Sequence, residues 1–377
     1  MRIVHVFHHY WPVMGGLENA VKNLAEEQAR LGHEVHVVTS TYNAGSRHRE
    51  EYINGVYVHR VKSFRLFGYP DLTYPLEYPG ILEGADIIHG YSQNSLFVSM
   101  LSLYAKKEFR KPLIYYFVGV DYLKRHYNPL LKLLGFRYQR FLTKKLVRYV
   151  DIALVTNDFE KKILRDVYGL EAYVLPHGVN EIYFNTPNKA EEFRRKYDID
   201  GRIVGYIGRI HSTKGLDLLI RALAEVVKEE KNLMLVIAGK GDEKYLTKCM
   251  KLAKRLGIRD RVRYLGYVPE EDKIGLIDAS EVIVLPSRHA GESYPLLIDE
   301  VKAREKPLVA TNYGSLPYMI VDGVEGVVAK AEPHSLADAI LHVLREKERF
   351  RIIRKPITWR EVALGLEEIY QKNAELK

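Results

Sequence analysis

Short apolar runs rich in β-branched residues alternate with longer amphipathic stretches along almost the whole chain, and this alternation restricts the fold more than any other feature. The first amphipathic stretch, 17–31, repeats its apolar residues with helical spacing and stops at Gly32. Strands that alternate with helices in this way indicate an α/β protein with a parallel, doubly wound sheet. The first set of strands is predicted at residues 2–7, 34–39, 56–61, 87–89, 113–117, 152–155 and 172–175.

The same pattern starts again after a break. The segment Pro176-His-Gly-Val-Asn180 and the polar stretch 186–195 precede a second set of predicted strands, at 202–207, 233–238, 262–265, 282–285 and 308–311. Chain breakers followed by a restart predict a domain boundary. We expect two Rossmann-like domains, 1–180 and 181–357, that face a central cleft, and a helix in 358–377 that returns to the first domain. Ligands of such sheets bind at the carboxyl ends of the strands.

Composition narrows the class of protein. The 57 Lys and Arg residues exceed the 48 Asp and Glu residues, and the net charge of +9 suits anionic ligands such as phosphates, anionic lipid or nucleic acid. A single cysteine, Cys249, excludes a disulfide framework and a cysteine-built zinc site. We see neither a secretory signal nor a run of ~20 apolar residues, so we expect a cytoplasmic protein.

Gly15 and Gly16 lie between the first predicted strand and the first helix. Bare backbone N–H groups at a helix start can bind an anion, although a plain strand-to-helix turn explains the pair equally well. The Gly-x-Gly-x-x-Gly fingerprint of a dinucleotide site does not occur here, which weakens an NAD oxidoreductase as an alternative.

A second loop of the same kind carries charge. In Gly208-Arg-Ile-His-Ser-Thr-Lys-Gly215, Arg209 and Lys214 are five residues apart at the carboxyl end of a predicted strand. Arg offers a bidentate fork and Lys a point charge, and both can reach one diphosphate. Solvated surface charge is the alternative, which the position of the loop weakens.

Glu292 and Glu300 are eight residues apart, in a segment that we expect to begin a helix. On a helix this spacing is a little over two turns, or roughly 12 Å along the axis. The two carboxylates would then share a face and contact two hydroxyl-bearing ends of an elongated ligand. That distance does not suit the paired acids of a glycosidase, which lie ~5–9.5 Å apart.

Together these motifs resemble the retaining, family-four type of nucleotide-sugar glycosyltransferases with the GT-B fold. The resemblance covers nearly the whole chain. It rests on Gly15-Gly-Leu-Glu18, Asp86-Ile-Ile-His89, Gly208-Arg209 with Lys214-Gly215, Gly239-Lys-Gly241, Glu292 with Glu300, and Thr358-Trp359. It implies transfer from a nucleoside-diphosphate sugar to an unidentified acceptor (a glycan, a lipid or a small molecule) with no metal ion and no further cofactor.

The resemblance also implies a role for individual residues. Arg209 and Lys214 would neutralise the donor diphosphate, Glu292 would hold the hydroxyls of the transferred sugar, and Glu300 would accept hydrogen bonds from the ribose. The other residues implied to contact the donor are Gly15, Gly16, Gly208, Tyr267, Val268, Ser293, Tyr294, Leu296 and Leu297.

One position departs from the family. Where relatives usually have a histidine near the donor sugar, this chain has Val118, followed by Gly119 and Asp121. His89 and Asp121 are candidates for a compensating role, although a buried structural histidine explains His89 better. The substitution favours one alternative, a nucleotide-sugar-binding protein without catalysis. A sugar-nucleotide epimerase is a second alternative, because it shares this fold.

The stretch 128–148 interleaves basic residues with Leu, Phe and Tyr. Amphipathic basic helices bind anionic membranes, which predicts a peripheral membrane contact here. A helix with one buried face and one solvated face is the alternative. No nucleic-acid-binding module accompanies the stretch, so we expect no nucleic-acid partner.

Overall fold

The computed structural model describes residues 1–13, 15–45, 48–126 and 128–374. Contacts within the chain divide it into two compact units. Unit 1 comprises Met1–Gly178 and Ile357–Lys377, and unit 2 comprises Val179–Pro356. Across the described ranges, no helix combines the length and hydropathy that a membrane span needs.

Unit 1 contains an eight-stranded sheet in the order β10-β9-β8-β7-β1-β2-β4-β3. All neighbouring strands are parallel except β3, which is antiparallel to β4. The central strands are buried on both faces, as the apolar runs of a parallel sheet require. The strands are β1 (Arg2–Val6), β2 (Glu34–Ser40), β3 (Glu50–Ile53), β4 (Val56–Val61), β7 (Ile87–Tyr91), β8 (Leu113–Phe117), β9 (Ile152–Val155) and β10 (Tyr173–Val174), with a separate hairpin of β5 (Ser63–Arg65) and β6 (Thr73–Pro75).

The helices of unit 1 connect these strands. They are α1 (Gly16–Arg30), α2 (Ile81–Gly84), α3 (Leu96–Glu108), α4 (Phe136–Leu146) and α5 (Asp158–Tyr168). A π-helical turn, Leu131–Gly135, runs directly into α4.

Unit 2 contains a six-stranded, wholly parallel sheet in the order β13-β12-β11-β14-β15-β16. Its strands are β11 (Arg202–Ile207), β12 (Leu233–Ala238), β13 (Val262–Gly266), β14 (Ser280–Leu285), β15 (Leu308–Thr311) and β16 (Gly326–Ala329). Its helices are α6 (Ile182–Asn185), α7 (Ala190–Tyr197), α8 (Leu216–Glu229), α9 (Glu243–Arg255), α10 (Glu270–Ala279), α11 (Leu296–Ala303), α12 (Leu316–Met319) and α13 (Pro333–Arg345).

The last helix, α14 (Trp359–Ala374), belongs to unit 1 and packs on α1. Gln28 donates a hydrogen bond to the Tyr370 hydroxyl at 3.1 Å, and His33 lies 2.6 Å from the Glu367 carboxylate. A side chain at Gly178 would come within 2.5 Å of the Trp359 nitrogen, so glycine is needed where the two parts of unit 1 meet.

The predicted fold class is confirmed: each unit has the parallel α/β architecture of a Rossmann-like domain. The strands that the sequence failed to indicate are β3, β5, β6 and β16, which lie at sheet edges or in the hairpin. Half-exposed strands lack the continuous apolar run that identifies a buried one.

Candidate active site

Glycines bring the loops at the carboxyl edge of the unit 2 sheet into backbone contact. A Cβ atom at Gly239 would lie 1.9 Å from the Gly208 carbonyl oxygen, and one at Gly241 would lie 2.1 Å from the Ile210 oxygen. Gly208 also donates its N–H to Ala238 at 3.0 Å. Because no side chain fits between these backbones, the loop after β11 is fixed beside the end of β12.

That loop presents Lys214 at the end of a 3-10 turn, Ser212–Lys214, directly before α8. Gly215 adopts a left-handed φ of 69°, and its Cβ would lie 1.9 Å from the Pro286 oxygen. Arg288 donates its backbone N–H to the Thr213 carbonyl at 2.8 Å and its side chain to Ser212 at 2.9 Å. The loops after β11 and β14 are therefore held together.

Lys214 and Glu292 form an ion pair across these two loops. The Lys214 ammonium donates to Glu292 Oε1, and the Ser287 hydroxyl donates to the same oxygen at 2.6 Å. The Glu292 side chain is only 8% exposed. Burial alone would raise the pKa of Glu292, but the Lys214 ammonium and the Ser287 hydroxyl outweigh it, and the pKa lies below its ordinary value. Glu292 is therefore a carboxylate at neutral pH.

The predicted placement of Glu292 on a helix is wrong. Glu292 lies in the loop after β14, and α11 begins only at Leu296, after Pro295. Ser315 donates its N–H to the Glu292 carbonyl at 2.8 Å, and a Cβ at Gly314 would lie 2.3 Å from that carbonyl oxygen. The loop before α12 thus holds Glu292, and the predicted separation of two helical turns between the carboxylates does not apply.

Glu300 lies on α11 in a different surrounding. Its Oε2 is 2.7 Å from the Lys273 ammonium of α10, and Lys273 also lies 3.5 Å from Glu270. The Tyr183 hydroxyl donates to Glu270, and the Lys273 ammonium lies 5.4 Å above the Tyr183 ring. Burial is the largest influence on the Glu300 carboxyl, and together with Glu270 it raises the pKa even though Lys273 lowers it. Neither Lys273 nor Tyr183 was predicted from the sequence.

Arg209 is exposed and carries a positive charge without a carboxylate within 4 Å, as far as the described residues go. The Tyr206 hydroxyl donates to its carbonyl oxygen at 3.1 Å. Burial raises the pKa of Tyr206, the Glu292 charge adds to this, and the Arg209 charge opposes it. Tyr206 therefore lies within electrostatic reach of both.

The other predicted donor contacts of unit 2 lie around this site. Tyr267 follows β13 and is 55% exposed, and the Lys240 ammonium lies 5.8 Å from the centre of its ring. Val268 is buried. Leu296 and Leu297 form the first turn of α11. Ser293 is buried and its carbonyl accepts the Ser315 hydroxyl, and the Tyr294 hydroxyl donates to Asp299.

In unit 1, Gly15 and Gly16 begin α1 as expected for an anion-binding turn. Among the described residues other than its chain neighbours, no atom lies within 4 Å of where a Gly16 Cβ atom would be. A Cβ at Gly15, however, would lie 2.2 Å from the Glu18 carboxylate, which folds back over the turn. The backbone at Gly16 is thus the open part of this loop.

Val118, which stands where relatives usually have a histidine, lies just after β8, and its partner Gln93 lies just after β7. Gln93 brackets Val118, accepting its N–H at 3.0 Å and donating to its carbonyl at 3.1 Å. Asp121 has a left-handed φ of 57° and accepts the Tyr168 hydroxyl at 2.5 Å. His89 lies within β7 with no exposed surface, and burial holds the pKa of its imidazole well below the ordinary value. We therefore leave His89 out of the proposed site.

In the part of the chain that is described, no group of three or more His, Cys, Asp or Glu side chains lies close enough to hold a metal ion.

Two family models match the chain. The model for group 1 glycosyl transferases matches residues 189–356, and the model for glycosyltransferase family 4 matches residues 14–181. An uncharacterized glycosyltransferase of Methanocaldococcus jannaschii is 28% identical, over 92% of this chain and 90% of that protein. The alpha-monoglucosyldiacylglycerol synthase of Streptococcus pneumoniae is 27% identical, over 91% of this chain and 78% of that protein. The D-inositol 3-phosphate glycosyltransferase of Corynebacterium diphtheriae is 28% identical, and the match spans 63% of this chain and only 60% of that protein.

Solved structures with low sequence identity share the fold. Sucrose-phosphate synthase from Thermosynechococcus elongatus superposes with a TM-score of 0.81 at 20% identity, over the whole of both chains. Anabaena HepE in complex with UDP and glucose superposes with a TM-score of 0.76 at 17% identity, over 99% of this chain and 100% of that one. The two family models together account for most of the residues in both units, and the chain belongs to the family-four type of glycosyltransferases with the GT-B fold.

Proposed function

We propose that this glycosyltransferase takes a sugar from a nucleoside-diphosphate donor and transfers it to an acceptor hydroxyl with retention of the anomeric configuration. The proposal requires neither a metal ion nor a cofactor besides the donor substrate. One observation carries it: the buried Glu292 carboxylate is paired with Lys214, and Tyr206 lies within electrostatic reach of both Glu292 and Arg209, an exposed cation with no carboxylate within 4 Å among the described residues.

The charges at this site match the steps of the reaction. The bond between the sugar C1 and the diphosphate oxygen breaks, and the negative charge that develops on the diphosphate meets Lys214 and Arg209. Glu292 accepts hydrogen bonds from the sugar hydroxyls and orients the ring. The acceptor oxygen forms its bond to C1 on the face that the diphosphate leaves, and its proton passes to a diphosphate oxygen.

The chemistry of the leaving group explains why two cations are needed and a general base is not. A diphosphate is already a good proton acceptor once it departs, whereas its charge must be neutralised in a site from which water is excluded. HepE, which shares the fold, has been solved with UDP and with UDP-glucose. This supports a uridine nucleotide sugar as the first donor to test.

The decisive experiment measures release of nucleoside diphosphate from a panel of nucleotide sugars, with and without acceptor extracts. Lys214→Ala and Glu292→Ala should lower turnover by roughly 100-fold or more, while Lys251→Ala, at an exposed lysine on α9, should leave it unchanged. Full activity in both site variants would refute the proposed site. Donor binding without turnover under every acceptor would favour a non-catalytic binding protein, and interconversion of free nucleotide sugars would favour an epimerase.

We also propose that the π-turn and α4 form a peripheral contact with an anionic membrane. The alternative from the sequence, a buried apolar face, accounts for Leu142 and Leu146. It does not account for Leu130, Leu133, Leu134 and Phe141, which are 53–65% exposed. The same helical segment also presents the exposed Lys144 and Lys145. Apolar groups that enter the lipid and cations that meet its headgroups are the combination that binds anionic membranes.

Co-sedimentation with vesicles tests this contact. Binding to vesicles that contain phosphatidylglycerol should exceed binding to phosphatidylcholine vesicles and should weaken with salt. It should also fall in Leu133→Ala/Leu134→Ala and in Lys144→Glu/Lys145→Glu. The double variant Lys248→Glu/Lys251→Glu on α9 makes the same change in net charge elsewhere and should bind normally. Equal binding by all variants would reject the contact.

A further inference from the structure

A second charged cluster lies at the carboxyl edge of the unit 1 sheet, close to the Gly15–Gly16 turn, and shares Glu18 with it. It contains His9, which follows β1, Glu18 on α1, and Arg65 and Thr73, which face each other across the β5–β6 hairpin. Carboxyl ends of parallel strands are where ligands of this kind of sheet bind. The cluster is therefore in a position where a ligand is expected.

The Arg65 guanidinium is held from three sides. One terminal nitrogen lies 2.7 Å from His9 Nε2, Nε donates to the Thr73 hydroxyl at 3.2 Å, and the group stacks 4.3 Å from the centre of the Tyr42 ring. The Tyr42 hydroxyl also accepts the Arg65 backbone N–H at 3.0 Å. An arginine side chain is normally mobile, and the three contacts of this guanidinium fix it in a single orientation.

None of these contacts supplies negative charge. In the described part of the chain, no carboxylate oxygen lies within 4 Å of the Arg65 guanidinium, and partial burial lowers the pKa of this group. Two more deeply buried arginines of the chain are both compensated: Arg60 lies 2.5 Å from Glu51, and Arg304 lies 2.8 Å from Asp278. A cation that is fixed and partly desolvated without a counter-charge is typical of an anion-binding site.

His9 explains why the nearest acid does not neutralise Arg65. Its Nε2 faces the arginine donor, so Nε2 carries the lone pair and Nδ1 carries the proton. That proton points to Glu18 Oε1 at 3.3 Å. The imidazole thus stands between Glu18 and Arg65 and contacts both side chains, so Glu18 does not pair directly with the arginine.

A further acid borders the cluster. Asp71 lies in the short helix between β5 and β6, within electrostatic reach of His9 and Glu18. Burial, with a smaller contribution from Glu18, raises the pKa of Asp71 to about 6. At pH 7 a carboxyl with this pKa is still mainly ionised, and it takes up a proton as pH falls through about 6.

We propose that Arg65, oriented by His9 and Thr73, binds the phosphate or carboxylate group of an anionic ligand. Resting on the proposed function, this ligand is the acceptor, and the acceptor class is a hydroxylated phosphomonoester or carboxylate. Phe64 and Phe67, exposed on the same hairpin, offer apolar surface beside Arg65. The phosphate could therefore belong to a free metabolite or to a lipid headgroup.

Calorimetric titration with inorganic phosphate and with glycerol 3-phosphate tests the site without any donor. We expect binding to the native protein that weakens about 10- to 100-fold in Arg65→Gln, partly recovers in Arg65→Lys, and is unchanged in Arg49→Gln, an exposed arginine of unit 1 paired with Glu77. Glycerol should not bind detectably. Equal phosphate affinity in the native protein and Arg65→Gln would overturn the proposal.

A second measurement uses the native chain and remains valid if a variant does not fold. Phenylglyoxal modifies free guanidinium groups, and mass spectrometry locates the product. Phosphate should slow modification of Arg65 and leave Arg49 unaffected, and unprotected Arg65 would contradict the site.

Two vesicle preparations then separate the sources of the phosphate. Arg65 is exposed to phenylglyoxal in the presence of either phosphatidic acid in phosphatidylcholine vesicles or glycerol 3-phosphate, at equal phosphate concentration. Stronger protection by the vesicles identifies a lipid headgroup as the ligand. Stronger protection by glycerol 3-phosphate identifies a free metabolite. Donor hydrolysis distinguishes this inference from the proposed function. If Arg65→Gln binds phosphate normally while Glu292→Ala loses turnover, only the anion site fails. If Arg65 binds phosphate while no nucleotide sugar turns over, only the proposed function fails.

Discussion

Glu292 and Glu300 look alike in sequence but have opposite electrostatic surroundings. Both side chains are shielded, at 8% and 12% exposure, and each is paired with a lysine. Yet the pKa of Glu292 is lowered and that of Glu300 is raised. The difference lies in the neighbours: Lys214 and a Ser287 hydroxyl both support the Glu292 charge, whereas Lys273 is shared between Glu300 and Glu270. The pKa of a buried acid therefore depends on how many acids share the neighbouring lysine, and not only on whether a lysine is present.

The two sites should consequently respond to pH in opposite directions. For Glu292, the folded state has the lower pKa, so its contribution to stability is complete above the ordinary glutamate pKa and is lost as pH falls through the lowered value. For Glu300, the folded state has the higher pKa, so its contribution is present at low pH and is lost as pH rises through the raised value. Of the two glutamates, Glu292 is therefore the one that keeps its negative charge to lower pH.

The largest effect should come from removing the cation beside Glu292. Lys214→Ala should lower kcat by roughly 10²–10³-fold, because a preorganised charge on the leaving group is lost. It should also destabilise the fold by about 3–5 kcal/mol, since a buried carboxylate loses its partner. Steady-state kinetics and urea unfolding measure the two effects. If kcat changes no more than it does in Lys251→Ala, the proposed role of Lys214 in catalysis is rejected.

Removing the cation beside Glu300 should instead weaken donor binding. Lys273→Met should raise the donor KM by about 10–100-fold with a smaller change in kcat, because a misplaced Glu300 loses a charge-assisted hydrogen bond to the ribose. Lys273→Arg should restore part of the affinity. Kinetics with ribose and 2′-deoxyribose donors identify the contact, since the variant should discriminate less between them. The control is Lys196→Met, whose exposed lysine pairs with Asp272 on the same helix as Lys273.

The pH dependence of donor binding sharpens the comparison further. Donor KM should increase as pH falls through the raised pKa of Glu300, by at most about tenfold per pH unit, because Glu300 takes up a proton before Glu292 does. Glu300→Gln should remove this acid limb, while Glu292→Gln should lower turnover and keep the limb. An acid limb that disappears only in Glu292→Gln would mean that the two pKa directions are reversed.

The smallest effect should come from the loop that supports Glu292. Gly314 and Gly323 both have left-handed φ, at 57° and 72°, but only at Gly314 would an added Cβ atom have neighbours within 4 Å. Gly314→Ala should therefore destabilise the protein by about 1–3 kcal/mol more than Gly323→Ala. Thermal unfolding compares them directly. Equal losses would show that the packing of Gly314 against Glu292 contributes nothing.

The central strands of both sheets followed from the sequence because a doubly buried strand must be a continuous apolar run. The position of Glu292 did not, although Pro295 gave a signal: proline disfavours helix in the residue before it, so a helix through 292–295 was improbable. Lys273 and Gly314 could not be assigned from spacing. Their roles depend on which residues of α10, α11 and the loop after β15 meet in space. Likewise, the two hydrogen bonds between Gln93 and the backbone of Val118 join the segments after β7 and β8, which are neighbours only because of the strand order of the sheet.

The attachment of α14 to unit 1 has a consequence for how the protein folds during its synthesis on the ribosome. All of unit 2, Val179–Pro356, is synthesised between the body of unit 1 and the helix that covers its α1 face. At about 5–20 residues per second, a nascent unit 1 waits for many seconds before that helix emerges. During this interval, unit 2 can complete its own fold first. Chaperone engagement of ribosome-bound chains should therefore concentrate on the uncovered surface of α1 and end when α14 is released.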